Sequence, residues 1–306
     1  MNNNNTNLSH KEILNYCNCM QTALYYFCLT YDIDPFFCLI NGFGLEYGNK
    51  TGNYIWEIIR LNTPNRLDEK YSNKFGLEIK QILPDFLSFS VDSLFDNSFL
   101  IWGDGFFCPW NDAFYKTHIS HFCVVTGYDS TTKSFICEDL YLGKHDQKWP
   151  IEELTKAPYQ IYEVHKKETT NTVSIVDVYS LFENITEETI RNNYQRLICD
   201  LRKVEIRTDL FETNTPNVCR VNVCTRQIVD SYRGLAFLFE HFGCQEEKNL
   251  LNNAVSIWKQ INLMLLKMSF KHTETISGID SLIELLLKAM ELDISIIKLL
   301  ETNKGG

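Results

Sequence analysis

The chain changes its punctuation near residue 166, and that change limits how it can fold. Six of the seven prolines (Pro35, Pro64, Pro84, Pro109, Pro150 and Pro158) and four of the five tryptophans (Trp56, Trp102, Trp110 and Trp149) lie before it. Turn formers at that density cut a chain into short elements, as a mixed α and β domain requires. Beyond residue 166 the breakers thin out and apolar residues recur at three and four, the period of a helix with one buried face. The polar stretch Lys166-Lys-Glu-Thr-Thr-Asn-Thr172 follows neither period and reads as a linker. The expectation is α+β, with a mixed domain over residues 1–165 and an appended helical domain over 166–306.

In the second part four helices are expected. Thr186–Leu201 carries Glu187 and Glu188 in its first turn, where the helix dipole favours negative charge. Arg226–Phe242 stops at Gly243, a residue suited to a C-terminal cap. Leu250, Ala254, Ile257, Trp258, Ile261, Met264, Leu265 and Met268 form one apolar stripe, and residues 279–300 repeat the pattern. In the first part, Ser98–Trp102, His121–Tyr128, Lys133–Asp139 and Tyr159–His165 are rich in β-branched and aromatic residues and read as strands.

Composition narrows the partners. With 29 Lys and Arg against 39 Asp and Glu, the net charge of -10 argues against a nucleic acid partner. The 11 cysteines are odd in number and scattered, so reduced thiols and a cytoplasmic location are expected. The N-terminus is polar, without the pattern of a secretion signal, and no apolar run is long enough to span a bilayer, so no membrane partner is expected. The sequons at Asn49 and Asn184 are then chance matches.

One pair of strands brings chemistry together. A hairpin turning over Asp129-Ser-Thr-Thr132 sets His121 across from Asp139 or Leu140. Opposed side chains share a face about 5 Å apart, so a carboxylate there holds the imidazole and leaves its other nitrogen free. Upstream, Asn15-Tyr-Cys17-Asn18-Cys19 leads a polar segment into an apolar helical run. With Asn18 as N-cap, Cys19 sits in the first turn, where backbone N–H groups and an adjoining imidazolium favour a thiolate. A competing signal, Ser9-His-Lys-Glu12, has the form of a capping box and would put both cysteines mid-helix.

These residues resemble a family. Cys19-x-x-x-Ala23-Leu24, Asn41-Gly-Phe-Gly44, Gly103-Asp-Gly-Phe-Phe-Cys-Pro-Trp110, His118-x-x-His121 running on to Gly127-Tyr-Asp129, and Phe135-Ile-Cys-Glu-Asp139 are similar to the butirosin-biosynthesis BtrH N-terminal family. The resemblance covers roughly residues 12–165. It implies a papain-like, peptidase-C39-like cysteine enzyme fold and a cysteine-dependent N-acyltransferase, or amide synthase, of specialised-metabolite biosynthesis. In that reading an acyl or peptidyl group leaves a carrier-protein phosphopantetheine thioester, rests on Cys19 and passes to a small-molecule amine, such as a diamine in closthioamide-type assembly. By position, Cys19 is the nucleophile, His121 the base and Asp139 the orienting carboxylate.

Asn15 or Asn18 would assist the oxyanion hole, and Cys17, Phe107, Trp110, Tyr115 and His118 would contact substrate. Phe106 and Phe114 belong to the same aromatic run. The sequence departs from the family pattern in duplicating the thiol at Cys17 and the carboxylate at Glu138. The partners implied are an acyl or peptidyl carrier protein and an amine, with no cofactor of the protein's own; a homodimer is left open. Two other functions fit the same residues: a leader-type cysteine peptidase, and an inert module that docks a carrier. A metal site at His118, His121 and either Cys123 or His145 completes no recognised zinc spacing, so no metal is expected.

Overall fold

Short runs of alternating apolar and polar residues pair into antiparallel sheets, and the longer stripes at helical period pack on one another. A computed structural model describes residues 13–39, 43–47, 59–61, 75–82, 98–116, 118–168, 172–180, 182–202, 220–271 and 276–303. The chain is α+β, and two compact units separate: residues up to Leu39 with 65–173, and residues 40–64 with 174–306.

The first unit is built on six strands: β3 (Leu77–Ile82), β4 (Phe99–Asp104), β5 (Ser120–Asp129), β6 (Ser134–Asp139), β7 (Lys144–Pro150) and β8 (Gln160–Lys166), in the order β3-β8-β4-β5-β6-β7. Alternation sends Phe99, Ile101, Cys123, Val125, Phe135, Cys137 and Ile161 into one buried cluster with Trp149 and Leu154. Helix α1 (Cys19–Tyr31) lies against β5 and β6. It buries Ala23, Leu24, Phe27 and Cys28, each large side chain contributing about 2 kcal/mol by leaving water. Asp32 ends α1 in the left-handed region at φ 56°, its N–H returning to the last turn. A short helix α2 (Ile151–Leu154) follows β7.

The second unit holds strands β1 (Leu45–Tyr47) and β2 (Ile59–Leu61), then α3 (Ile175–Ser180), α4 (Glu187–Leu201), α5 (Arg220–His241), α6 (Gln245–Lys271) and α7 (Ile276–Asn303). Thr186 caps α4, its hydroxyl accepting from the Thr189 N–H at 3.1 Å. Gly243, at φ 77°, follows α5, where the Cys244 N–H donates to the Phe239 carbonyl at 2.8 Å. At the centre, the fully buried Asp293 of α7 accepts from the Tyr194 hydroxyl at 2.7 Å and the Tyr232 hydroxyl at 2.8 Å. Burial pushes this carboxyl up to about 7, the two hydroxyl donors pulling the other way. No helix among the described residues is long and apolar enough to cross a membrane.

The division at residue 166 needs two corrections. β8 ends at Lys166, yet the chain stays with the first unit to Val173, whose N–H donates to the Asp34 carboxylate at 2.9 Å. Residues 40–64 leave the first unit for the second because the buried side chains Phe43, Leu45 and Tyr47 find their partners there. Phe43 stacks on Tyr232 at 5.1 Å, the Gly44 N–H donates to the Tyr232 hydroxyl at 3.2 Å, and the Tyr47 hydroxyl donates to Asp200 at 2.7 Å. Residues 169–171 of the expected linker, the Ser9–Glu12 capping signal, Asn49 and Asn41-Gly42 lie outside the described residues.

Candidate active site

The local sequence around Cys19 builds a helix start. Asn18 is the N-cap: its side-chain oxygen accepts from the Gln21 N–H at 3.0 Å, while the Gln21 side chain accepts from the Asn18 N–H at 2.8 Å. This reciprocal pair is a capping box: the sequence pointed to Asn18 as N-cap, and Gln21 three residues on completes the pair. The Gln21 amide also donates to the Cys38 carbonyl at 2.7 Å, which ties the first turn to the segment after the helix. Cys19 is therefore the first helical residue, and its side chain is half-buried. The N–H groups of Cys19 and Met20, at the first two helical positions, have no intrahelical carbonyl to meet.

The imidazole and carboxylate come from neighbouring strands. The β5–β6 turn is one residue later than expected, with Asp129 paired to Ser134, and a bulge at Thr126 shifts the register again. Beyond it Val124 faces Glu138, a register that carried forward sets Cys123 opposite Asp139. His121 is then the diagonal neighbour of Asp139 on the same face. The side chains close that diagonal, with His121 Nε2 2.8 Å from Asp139 Oδ2 and both residues at most 2% exposed.

Asp139 has further donors. Its Oδ2 also accepts from Trp110 Nε1 at 2.7 Å, and its Oδ1 accepts from the Leu142 N–H at 3.1 Å. Burial alone would push this carboxyl up; the His121 hydrogen bond and charge, then Trp110 and Leu142, hold it below its ordinary value. Burial likewise disfavours a charged His121. The hydrogen bond to Asp139 and the adjoining Cys19 side chain overcome that and raise the imidazole to about 9. An imidazolium therefore sits at neutral pH between a carboxylate on Nε2 and a sulfur, with Nδ1 as the ring nitrogen left for the sulfur.

The other residues singled out from the sequence go to different places. Asn15 is exposed, and the side-chain oxygen of Asn18 is committed to the cap. Cys17 is buried. Trp110 donates to Asp139 instead of standing clear as pocket lining. Phe107 meets Tyr115 at 6.2 Å and His118 at 6.3 Å, while His118 stacks on Phe106 at 4.3 Å and meets Asp104 through Nδ1 at 2.6 Å. The Tyr115 hydroxyl donates to Glu153 at 2.6 Å. The second carboxylate, Glu138, meets His145 Nδ1 at 2.6 Å. His118, His121 and His145 thus each pair with a different carboxylate. Trp110 and Leu142 as donors to Asp139 were not anticipated; nothing local to either residue signals such a role.

No family model matches the chain, and no curated protein matches it.

Proposed function

We propose that the protein is a cysteine-dependent acyltransferase that forms amides, with Cys19 as nucleophile, His121 as proton carrier and Asp139 as the group that orients and charges it. The observation that carries this reading is the buried 2.8 Å contact between His121 and Asp139, with Cys19 adjoining the ring from the first turn of α1. A helix bearing a thiol at its start, set against an antiparallel sheet bearing the imidazole and carboxylate, is the arrangement of papain-like enzymes, and the fold is read as that type.

The proposed donor is an acyl or peptidyl thioester on the phosphopantetheine arm of a carrier protein, and the acceptor is a small amine. The Cys19 sulfur attacks the thioester carbonyl, forming a new carbon–sulfur bond. Negative charge on the oxygen is met by the N–H groups of Cys19 and Met20. Collapse expels the carrier thiolate, which takes a proton from His121. The neutral imidazole then accepts a proton from the incoming amine as it attacks the acyl-Cys19 carbonyl. Cys19 thiolate departs and the amide is free, so His121 ends protonated as it began. Exchange between two thioesters is nearly isoenergetic, so orientation and oxyanion stabilisation carry the first step. The proposed setting is the cytoplasm, where a thiol nucleophile stays reduced.

Intact-mass analysis with acyl-loaded carrier protein tests this. The wild type gains the acyl mass and loses it on addition of amine, yielding amide, and Cys19→Ala gains none. An adduct that persists on Cys19→Ala and vanishes on Cys17→Ala overturns the assignment. Cleavage of a peptide with no carrier or amine present points to a peptidase.

A further inference from the structure

We propose that Trp110 is a positioning residue for the acyl-transfer site, holding Asp139 in place through an indole N–H bond to the same oxygen that His121 uses; this rests on the function proposed above. The sequence suggested a pocket aromatic at this position. The structure directs the indole nitrogen at Asp139 Oδ2 at 2.7 Å, beside the His121 contact at 2.8 Å. The other oxygen, Oδ1, takes the Leu142 N–H at 3.1 Å, so both ends of the carboxylate are held. Two donors on one oxygen fix the carboxylate plane, and a buried carboxylate held by three donors keeps its charge.

The indole itself is fixed from behind. Trp110 meets Trp149 edge to face at 5.5 Å, and Trp149 donates through Nε1 to the Phe107 carbonyl at 2.9 Å. Trp149 fits because Gly103, directly across from His121 in the β4–β5 ladder, has no side chain. A Cβ there would stand 2.9 Å from the Trp149 ring and 3.1 Å from Leu154. Gly103 thus makes room for Trp149, Trp149 seats Trp110, Trp110 holds Asp139, and Asp139 charges His121. No residue of this series before Asp139 needs to touch substrate.

Two variants test the proposal. Trp110→Phe removes the donor and some volume; Trp110→benzothienylalanine, introduced by site-specific incorporation, removes the N–H and keeps the shape. The ring signals of selectively labelled histidine, assigned with a His121→Gln control, report the His121 titration directly, and the remaining histidine signals report that the fold is intact. Both variants leave the Leu142 N–H alone to orient Asp139, so the carboxylate should turn from the ring; the His121 midpoint should fall by about one pH unit and Cys19 acylation should slow about tenfold at neutral pH. The Michaelis constant for the thioester should stay within about twofold, since only positioning has changed.

An unchanged His121 midpoint together with a raised Michaelis constant would overturn the proposal and return Trp110 to the acyl pocket. An unchanged midpoint and unchanged rate would overturn it as well. Failure of the acyl-transfer reading shows differently, as wild-type protein that gains no acyl mass at Cys19. The titration arm still decides, in that case, whether Trp110 sets the charge of the pair.

Discussion

Asp293→Asn exchanges a buried carboxyl for a neutral amide of nearly the same shape at the centre of the helical unit. In the wild type Tyr194 and Tyr232 donate to the two carboxyl oxygens, and burial pushes the group from its ordinary 3.8 up to about 7. The folded state therefore holds a proton that the unfolded chain releases at lower pH. The stability this contributes is complete below about pH 4 and is lost as the pH rises through about 7. The interval spans roughly three pH units at about 1.4 kcal/mol each, so the loss is about 4 kcal/mol between pH 4 and pH 8. An asparagine carries no such term: its carbonyl takes one tyrosine hydroxyl and its N–H groups face the other. The assay is urea unfolding followed by helical circular dichroism at a series of pH values for both proteins, read as the difference between them. Carboxylates and histidines elsewhere cancel in that difference. The variant should gain on the wild type by about 4 kcal/mol from pH 4 to pH 8. Parallel curves would refute the reasoning, since Asp293 would then titrate alike in folded and unfolded chains.

Three further substitutions, at two sites, probe the helix ends. Asn18→Ala breaks the capping box of α1 and should cost about 1 kcal/mol in urea unfolding; the loosened first turn should also slow iodoacetamide labelling of Cys19, and wild-type labelling with unchanged stability would show that the cap positions nothing. Gly243→Ala puts a Cβ into open space at φ 77°, so its cost of about 1 kcal/mol comes from backbone strain alone. Gly243→Asn should cost less, and equal costs for the two would remove the conformational explanation.

What the sequence disclosed depended on how locally each feature is encoded. β4, β5, β6 and β8 were readable because β-branched and aromatic residues cluster in them, and α4 to α7 because their stripes repeat over many residues. β7 was not: Lys144–Pro150 is charged and mostly exposed, as an edge strand is, and Trp149 is its one fully buried side chain. β3 should have been seen, since Leu77-Glu-Ile-Lys alternates at period two. On α6 Ala254, Trp258, Ile261 and Leu265 are buried as expected, while Leu251 and Val255 are buried where Leu250 and Ile257 were expected. At the site, His121 and Asp139 were placed on one face by strand parity, but as an opposed pair where the turn and the Thr126 bulge make them diagonal. Trp110 on Asp139, and Asp293 between two tyrosines, join residues far apart in sequence by hydrogen bonds that leave no periodic trace.

The departure of residues 40–64 from the first unit bears on how the chain is made. Tyr47 bonds to groups 146 and 153 residues downstream, and Gly44 to one 188 residues away. A ribosome synthesising this protein releases the β1–β2 segment long before α4 and α5 exist to receive it. That segment, with its aromatic side chains, must travel unsheltered while the six-stranded sheet assembles around it in time. Chaperone dependence during synthesis should therefore concentrate there, and ease once α4 and α5 have emerged.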